Sequence, residues 1–134
     1  MVSDKDIIKE VKKFFSTDAQ RDAMLIHSAT SISSPQFDSM TKASANDNGS
    51  ITYHAAKRRQ TLIKAALDSM DQDEASVLNM LYLQNDSITK VSMTLCMSRR
   101  SIFRLRNHAL IDFAYCYNFG ELLDRIHDEE TATT

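Results

Sequence analysis

Apolar residues recur along most of this chain at intervals of three and four, the repeat that turns one face of a helix toward a core. Residues 4–15 begin it, with Ile7, Ile8, Val11, Phe14 and Phe15 at helical spacing between lysines and acids. Ser16, Thr17 and Asp18 offer a cap for a second helix over about 18–29, whose apolar residues are Ala23, Met24, Leu25 and Ile26. The pattern lapses over 30–52. That stretch holds the only Pro and one of the two Gly, and it is rich in Ser, Asn and Asp, which bond their own backbone and favour turns. It reads as a loop or linker, with Phe37 and Met40 available to anchor it.

From Tyr53 the helical repeat resumes. Ile63, Ala66, Leu67 and Met70 share one face of a helix over 53–70. Asp71 caps the next, 72–84, with a stripe of Val77, Leu78, Leu81 and Tyr82, and Asp73 and Glu74 suit its positive N-terminus. Gln84, Asn85 and Asp86 break it. Ser87 caps a short helix, 88–95, with Ile88, Val91 and Leu95 inward. Ser98 caps a longer one, 99–114, with Ile102, Leu105, Ala109 and Phe113 inward. A last helix over 119–127 carries Leu122, Leu123 and Ile126, and 128–134 reads as a disordered tail. The pattern predicts an all-α protein in three parts. These are an N-terminal helical segment (1–30), a linker (31–52) and a helical domain (53–127).

Composition adds little to that picture but agrees with it. Two Gly and one Pro in 134 residues are too few for the turns of an all-β domain. At 43% apolar the chain can bury a core. Two cysteines, Cys96 and Cys116, are too few for a disulfide framework, and Cys116 reads as a small buried hydrophobe. The opening MVSDKDIIKE lacks the apolar stretch of a secretion signal, and no run approaches the ~18 apolar residues of a bilayer span. The expectation is a soluble cytoplasmic protein without a membrane partner.

Charge changes the picture more. The formal net charge is -2, which argues mildly against nucleic acid as a partner. Its distribution argues for one. Residues 87–111 carry Lys90, Arg99, Arg100, Arg104 and Arg106 and no acid, whereas 112–134 carry six acids against Arg125. Screening limits the reach of distant charges to roughly 8–10 Å, so the local basic patch sets any contact with phosphate.

That patch lies in SITKVSMTLCMSRRSIFRLRNHAL, residues 87–110, which reads as a helix-turn-helix. Val91, Leu95, Met97, Ile102 and Leu105 can clamp the two helices, Ser92 is small enough for their crossing, and Ser98 caps the second. At about 100° per residue, Arg100, Phe103, Arg104 and Asn107 lie opposite the apolar face, with Arg99 and Ser101 flanking the N-terminal end. Arg can pair bidentately with guanine and Asn with adenine, and recognition helices reach bases with their N-terminal residues. Ser101 and Lys90 are better placed for phosphate, His108 is a further phosphate candidate, and Arg106 projects nearer the packed side, for a phosphate or structural role. The candidate DNA-binding set is Lys90, Ser98, Arg99, Arg100, Ser101, Arg104, Asn107 and His108. Phe103 could touch a thymine methyl or a partner helix. Lys57, Arg58 and Arg59 could add phosphate contacts but read mainly as a solvated face. The turn commonly uses Gly at the position of Cys96, and a left-handed non-Gly residue there costs roughly 1–2 kcal/mol. The four histidines have neither a partner at i±4 nor a nearby Cys-x-x-Cys, so no zinc site is expected. No phosphate loop, nucleophile elbow or HExxH is present, so neither catalysis nor a cofactor is expected.

Residues 53–115 resemble the region-4 fold of sigma factors. A closer resemblance is to the ArpU-like family of phage late-gene transcriptional regulators. It is carried by MSRRSIFRLRNHALIDFA (97–114), ALDSMDQDEASVLNMLYL (66–83) and SPQFDSMTKASAND (34–47). Cys96 departs from the usual turn Gly. Leu105 and Arg106 reverse an order common in sigma-like domains, a swap that the ArpU-like pattern tolerates. The resemblance implies a phage or prophage protein that activates late or packaging genes by binding a promoter, with Arg99, Arg100, Ser101 and Arg104 at the DNA. Double-stranded DNA is the principal expected partner and host RNA polymerase a further candidate; a second copy of the chain is expected because one recognition helix gives modest affinity and paired half-sites raise it. The stripe of residues 7–15 is a candidate dimer contact, or else docks on its own core. The alternatives are a protein-interaction module that binds polymerase or another protein, and a DNA-packaging recognition subunit like a small terminase.

Overall fold

A computed structural model describes residues 2–32 and 48–132, and the described residues are helical with no strand. The helices are α1 (Asp4–Phe14), α2 (Gln20–Ile32), α3 (Asn48–Ser69), α4 (Gln72–Leu78), α5 (Ile88–Leu95), α6 (Arg99–Cys116) and α7 (Glu121–Ala132). No described helix is long and apolar enough to cross a membrane.

Ser3 starts α1 through a capping box with Asp6. The chain does not stop at Ser16–Asp18, where a cap is expected. It runs through a wide π-type turn, Phe15–Ala19, straight into α2. The Ser16 and Thr17 hydroxyls donate back to the Lys13 carbonyl, at 3.1 and 2.7 Å, and so serve the end of one helix instead of the start of another. Helix also covers 30–32 and 48–52, which the sequence assigns to loop, while Pro35, Phe37 and Met40 lie outside the described residues. At the other end α7 continues through Ala132, past the expected start of a disordered tail at 128.

Two apolar clusters hold the helices. The larger gathers Ile7, Val11, Phe14 and Phe15 with Ile63, Ala66, Leu78, Leu110, Phe113, Tyr117, Leu122 and Ile126. Its centre is aromatic. Phe14 lies 4.8 Å from Tyr117, and Phe15 lies 4.8 Å from Phe113 and stacks on Tyr82 at 5.0 Å, centroid to centroid. Ile7, Val11, Phe14 and Phe15 of the α1 stripe are therefore buried in the chain's own core, the second of the two placements expected for it. The smaller cluster is Val77, Val91 and Ile102, with Ile88, Leu95, Met97 and Leu105 packed around them. α6 spans both. Its C-terminal half is locked in the main core, and its N-terminal half rides on the small cluster beside α5.

Two bidentate or shared ion pairs close the outside. Arg59 grips Asp22 through Nε and Nη2 at 2.6 and 2.8 Å, tying α3 to α2, so Arg59 departs from the solvated face expected for it. Arg125 on α7 reaches Asp18 at 2.9 Å and Glu121 at 3.1 Å. Cys116, expected to be buried, is exposed at the last position of α6.

Candidate nucleic-acid interface

The turn between α5 and α6 fixes the aim of α6. Cys96 takes φ 54° and ψ 44°, the left-handed conformation expected for this position. With that residue reversed, the Met97 N–H donates to the Ser92 carbonyl at 3.1 Å, the six-to-one bond of a Schellman ending. The Ser92 hydroxyl donates to the Met97 carbonyl in return, so the small residue at the crossing also staples the turn. Ser98 then caps α6. Its Oγ accepts the Ser101 N–H at 3.1 Å, and its hydroxyl donates to Ser101 Oγ at 2.9 Å.

From that start Arg99, Arg100 and Arg104 project into solvent, and among the described residues none of them forms an ion pair. Their backbone is held by Ile102, fully buried one residue from Ser101. Phe103 is 37% exposed on the same side, and the Arg106 guanidinium lies over its ring at 5.0 Å. His108 is exposed. Ser101 is half-buried, with its hydroxyl occupied in the cap. Lys90 on α5 is 65% exposed at its side chain and paired with Asp86 at 3.2 Å.

Asn107 falls elsewhere than expected. Its Oδ1 accepts both Nη2 and Nε of Arg106, at 3.0 and 3.3 Å, and it is half-buried in a cleft against α1. A bidentate contact with adenine would need that oxygen, which Arg106 occupies here. The helical wheel places it beside Arg100 and Arg104 correctly. It could not show that α1 crosses α6 at that level.

The same cleft holds residues that the sequence reading passed over. It measures about 350 Å³ and is lined by Lys5, Ile8, Lys9, Lys12, Arg106 and Asn107. Burial, and then the Arg106 charge, push the Lys12 ammonium below its ordinary pKa. A signal was available, since lysines at 5, 9 and 12 form one helical stripe, but its nearness to Arg106 is a tertiary fact. A larger open groove, about 860 Å³, lies between α2, α3 and α4. Its lining is mixed, with Ala23, Ile63 and Leu67 beside Lys64 and Asp68, and it gathers no single sign of charge. Among the described residues no cluster of His, Cys, Asp and Glu could hold a metal ion.

No protein-family model matches the chain, and neither a curated protein nor a solved structure matches it.

Proposed function

We propose that this protein is a sequence-specific DNA-binding transcriptional regulator, with α5 and α6 as a sigma region-4-like helix-turn-helix and α6 as the recognition helix. The observation that carries the reading is the first turn and a half of α6. Arg99, Arg100 and Arg104 stand there exposed, without counter-ions among the described residues, on a backbone fixed by the Ser98 cap and buried Ile102. Uncompensated guanidinium groups on a fixed backbone suit the guanine edges and phosphates of a major groove. No acid lies at i±3 or i±4 to pair with them, because residues 87–111 contain none. Arg100 and Arg104 are the base readers in this scheme, and Arg99, Lys90, Ser101 and His108 lie toward the phosphates. Activation of phage late or packaging genes is the biological setting suggested by the resemblance of 34–47, 66–83 and 97–114 to the ArpU-like family. Recognition of a packaging site would use the same helix.

A protein partner has one observation in its favour. Tyr115 and Phe119 are 63% and 100% exposed at the end of α6 remote from the arginines. A regulator bound through the front of α6 would leave that end open to polymerase or another protein.

The test is Arg100→Glu with Arg104→Glu, assayed by fluorescence anisotropy on random duplex at low salt. Both side chains are exposed, so helicity should be unchanged. Binding should weaken by a hundredfold or more, because two attractive charges become repulsive. Unchanged binding would contradict the assignment of α6, and function retained without it would favour the interaction module.

A further inference from the structure

α1 presents two faces. Ile7, Val11 and Phe14 face the core, and Lys5, Lys9 and Lys12, at intervals of four and three, form a stripe beside it. That stripe meets Arg106 of α6 across the cleft, with Ile8 among its lining residues. Four cations thus line one concavity, and among the described residues none of them forms an ion pair. Arg106 bonds only the neutral amide of Asn107, so its charge is oriented but not neutralised. The acids of α1 do not line the cleft. Asp4 and Asp6 are exposed in the first turn, with Asp6 engaged in the capping box, and Glu10 is buried where its charge acts on Arg125. Like charges gathered without a counter-ion favour an anion. Arg106 links the cleft to the front of α6, because its guanidinium lies over the ring of Phe103, which sits between Arg99 and Arg104 along the exposed side.

We propose that this cleft is a backbone-phosphate site, in which Lys5, Lys9 and Lys12 contact the phosphates of duplex DNA flanking the groove entered by α6. The proposal rests on the reading of α6 as the recognition helix. It makes the N-terminal helix part of the DNA-binding surface. Arg106 orients the site from the α6 side, and Asn107 holds Arg106 in place.

The experiment uses the full chain with Lys5→Gln, Lys9→Gln and Lys12→Gln combined, on the duplex that the unmodified protein selects from a random pool, titrated with salt. The slope of log affinity against log salt should become shallower by about 2–3, since each lost phosphate contact removes about 0.9. Affinity at low salt should fall at least tenfold, while the selected motif and the penalty for mismatched duplexes stay the same. The matching Lys→Arg triple variant should keep the original slope, which separates lost charge from lost structure. An unchanged slope and affinity in the Gln variant, with the unmodified protein binding normally, would overturn the phosphate site and leave the α6 reading standing. A changed motif would also overturn it, because phosphate contacts carry no sequence. Failure of the unmodified protein to bind any duplex would remove the α6 reading, and this site with it.

Discussion

Cys96 sets the angle at which α6 leaves the turn, and it does so in a conformation that L-residues resist. Its φ of 54° follows a helix that ends on Leu95 and precedes a cap at Ser98, so the reversal must fit into three residues. The strain is of order 1–2 kcal/mol. Cys96→Gly removes it, and the greater freedom of Gly in the unfolded chain returns about 0.5–1 kcal/mol of that gain. The variant should be more stable by about 0.5–1 kcal/mol in urea unfolding, with DNA binding unchanged. A loss of stability would mean that the thiol contributes packing that its exposed position does not suggest. The residue-scale reading succeeded wherever spacing alone decides. The Ser87 and Ser98 caps and the left-handed Cys96 follow from the distance between two apolar stripes. It failed at Cys116, which is exposed because α6 ends there, and it did not foresee the surroundings of Asn107, which depend on which helix crosses α6.

At the scale of elements, the contact between α4 and α6 depends on a proton. Glu74, in the first turn of α4, has its carboxyl pushed up to about 7. Burial is the largest cause, followed by a hydrogen bond to Asp112 of α6 and the charges of Asp112 and Asp71. The folded state then holds this proton more tightly than the unfolded state, where the ordinary value is 4.5. The stabilisation is full below about pH 4.5, is lost as pH rises through about 7, and is absent above that. Glu74→Gln should remove this pH dependence and be more stable than the unmodified protein above pH 7. Parallel pH profiles for the two proteins would contradict the shared proton. Helix existence was legible from the 3.6-residue repeat, but helix continuity was not. The π-type turns at Phe15–Ala19 and Asn79–Leu83 keep the chain helical where polar residues suggest a break or where regular helix was expected. They also bring Phe15 and Tyr82 into a stacked pair, with the Gln20 amide donating to the Tyr82 carbonyl at 3.4 Å. Such a pairing joins two distant segments, and no periodicity within either one reveals it.

Across the whole molecule, segregation of charge lets a chain of net charge -2 present a cationic surface. Acids concentrate on α7 and at the start of α4, while the front of α6 and one side of α1 are basic. The all-α character was readable from pattern and from the scarcity of Gly and Pro. The packing of the N-terminal helix into the main core was not, because the stripe of 7–15 gives no sign of which surface buries it. Phe14 and Phe15 in the main core bind α1 to the helices that carry α6, so the two basic surfaces keep a fixed relation. The most direct measurement is selection of bound duplexes from a random pool, followed by affinity against salt for the recovered sequence. The account predicts one enriched motif, a steep salt slope, and loss of that motif on changing Arg100 and Arg104. No enrichment, together with no binding at low salt, would contradict it and direct attention to the exposed Tyr115 and Phe119 as a protein-binding end.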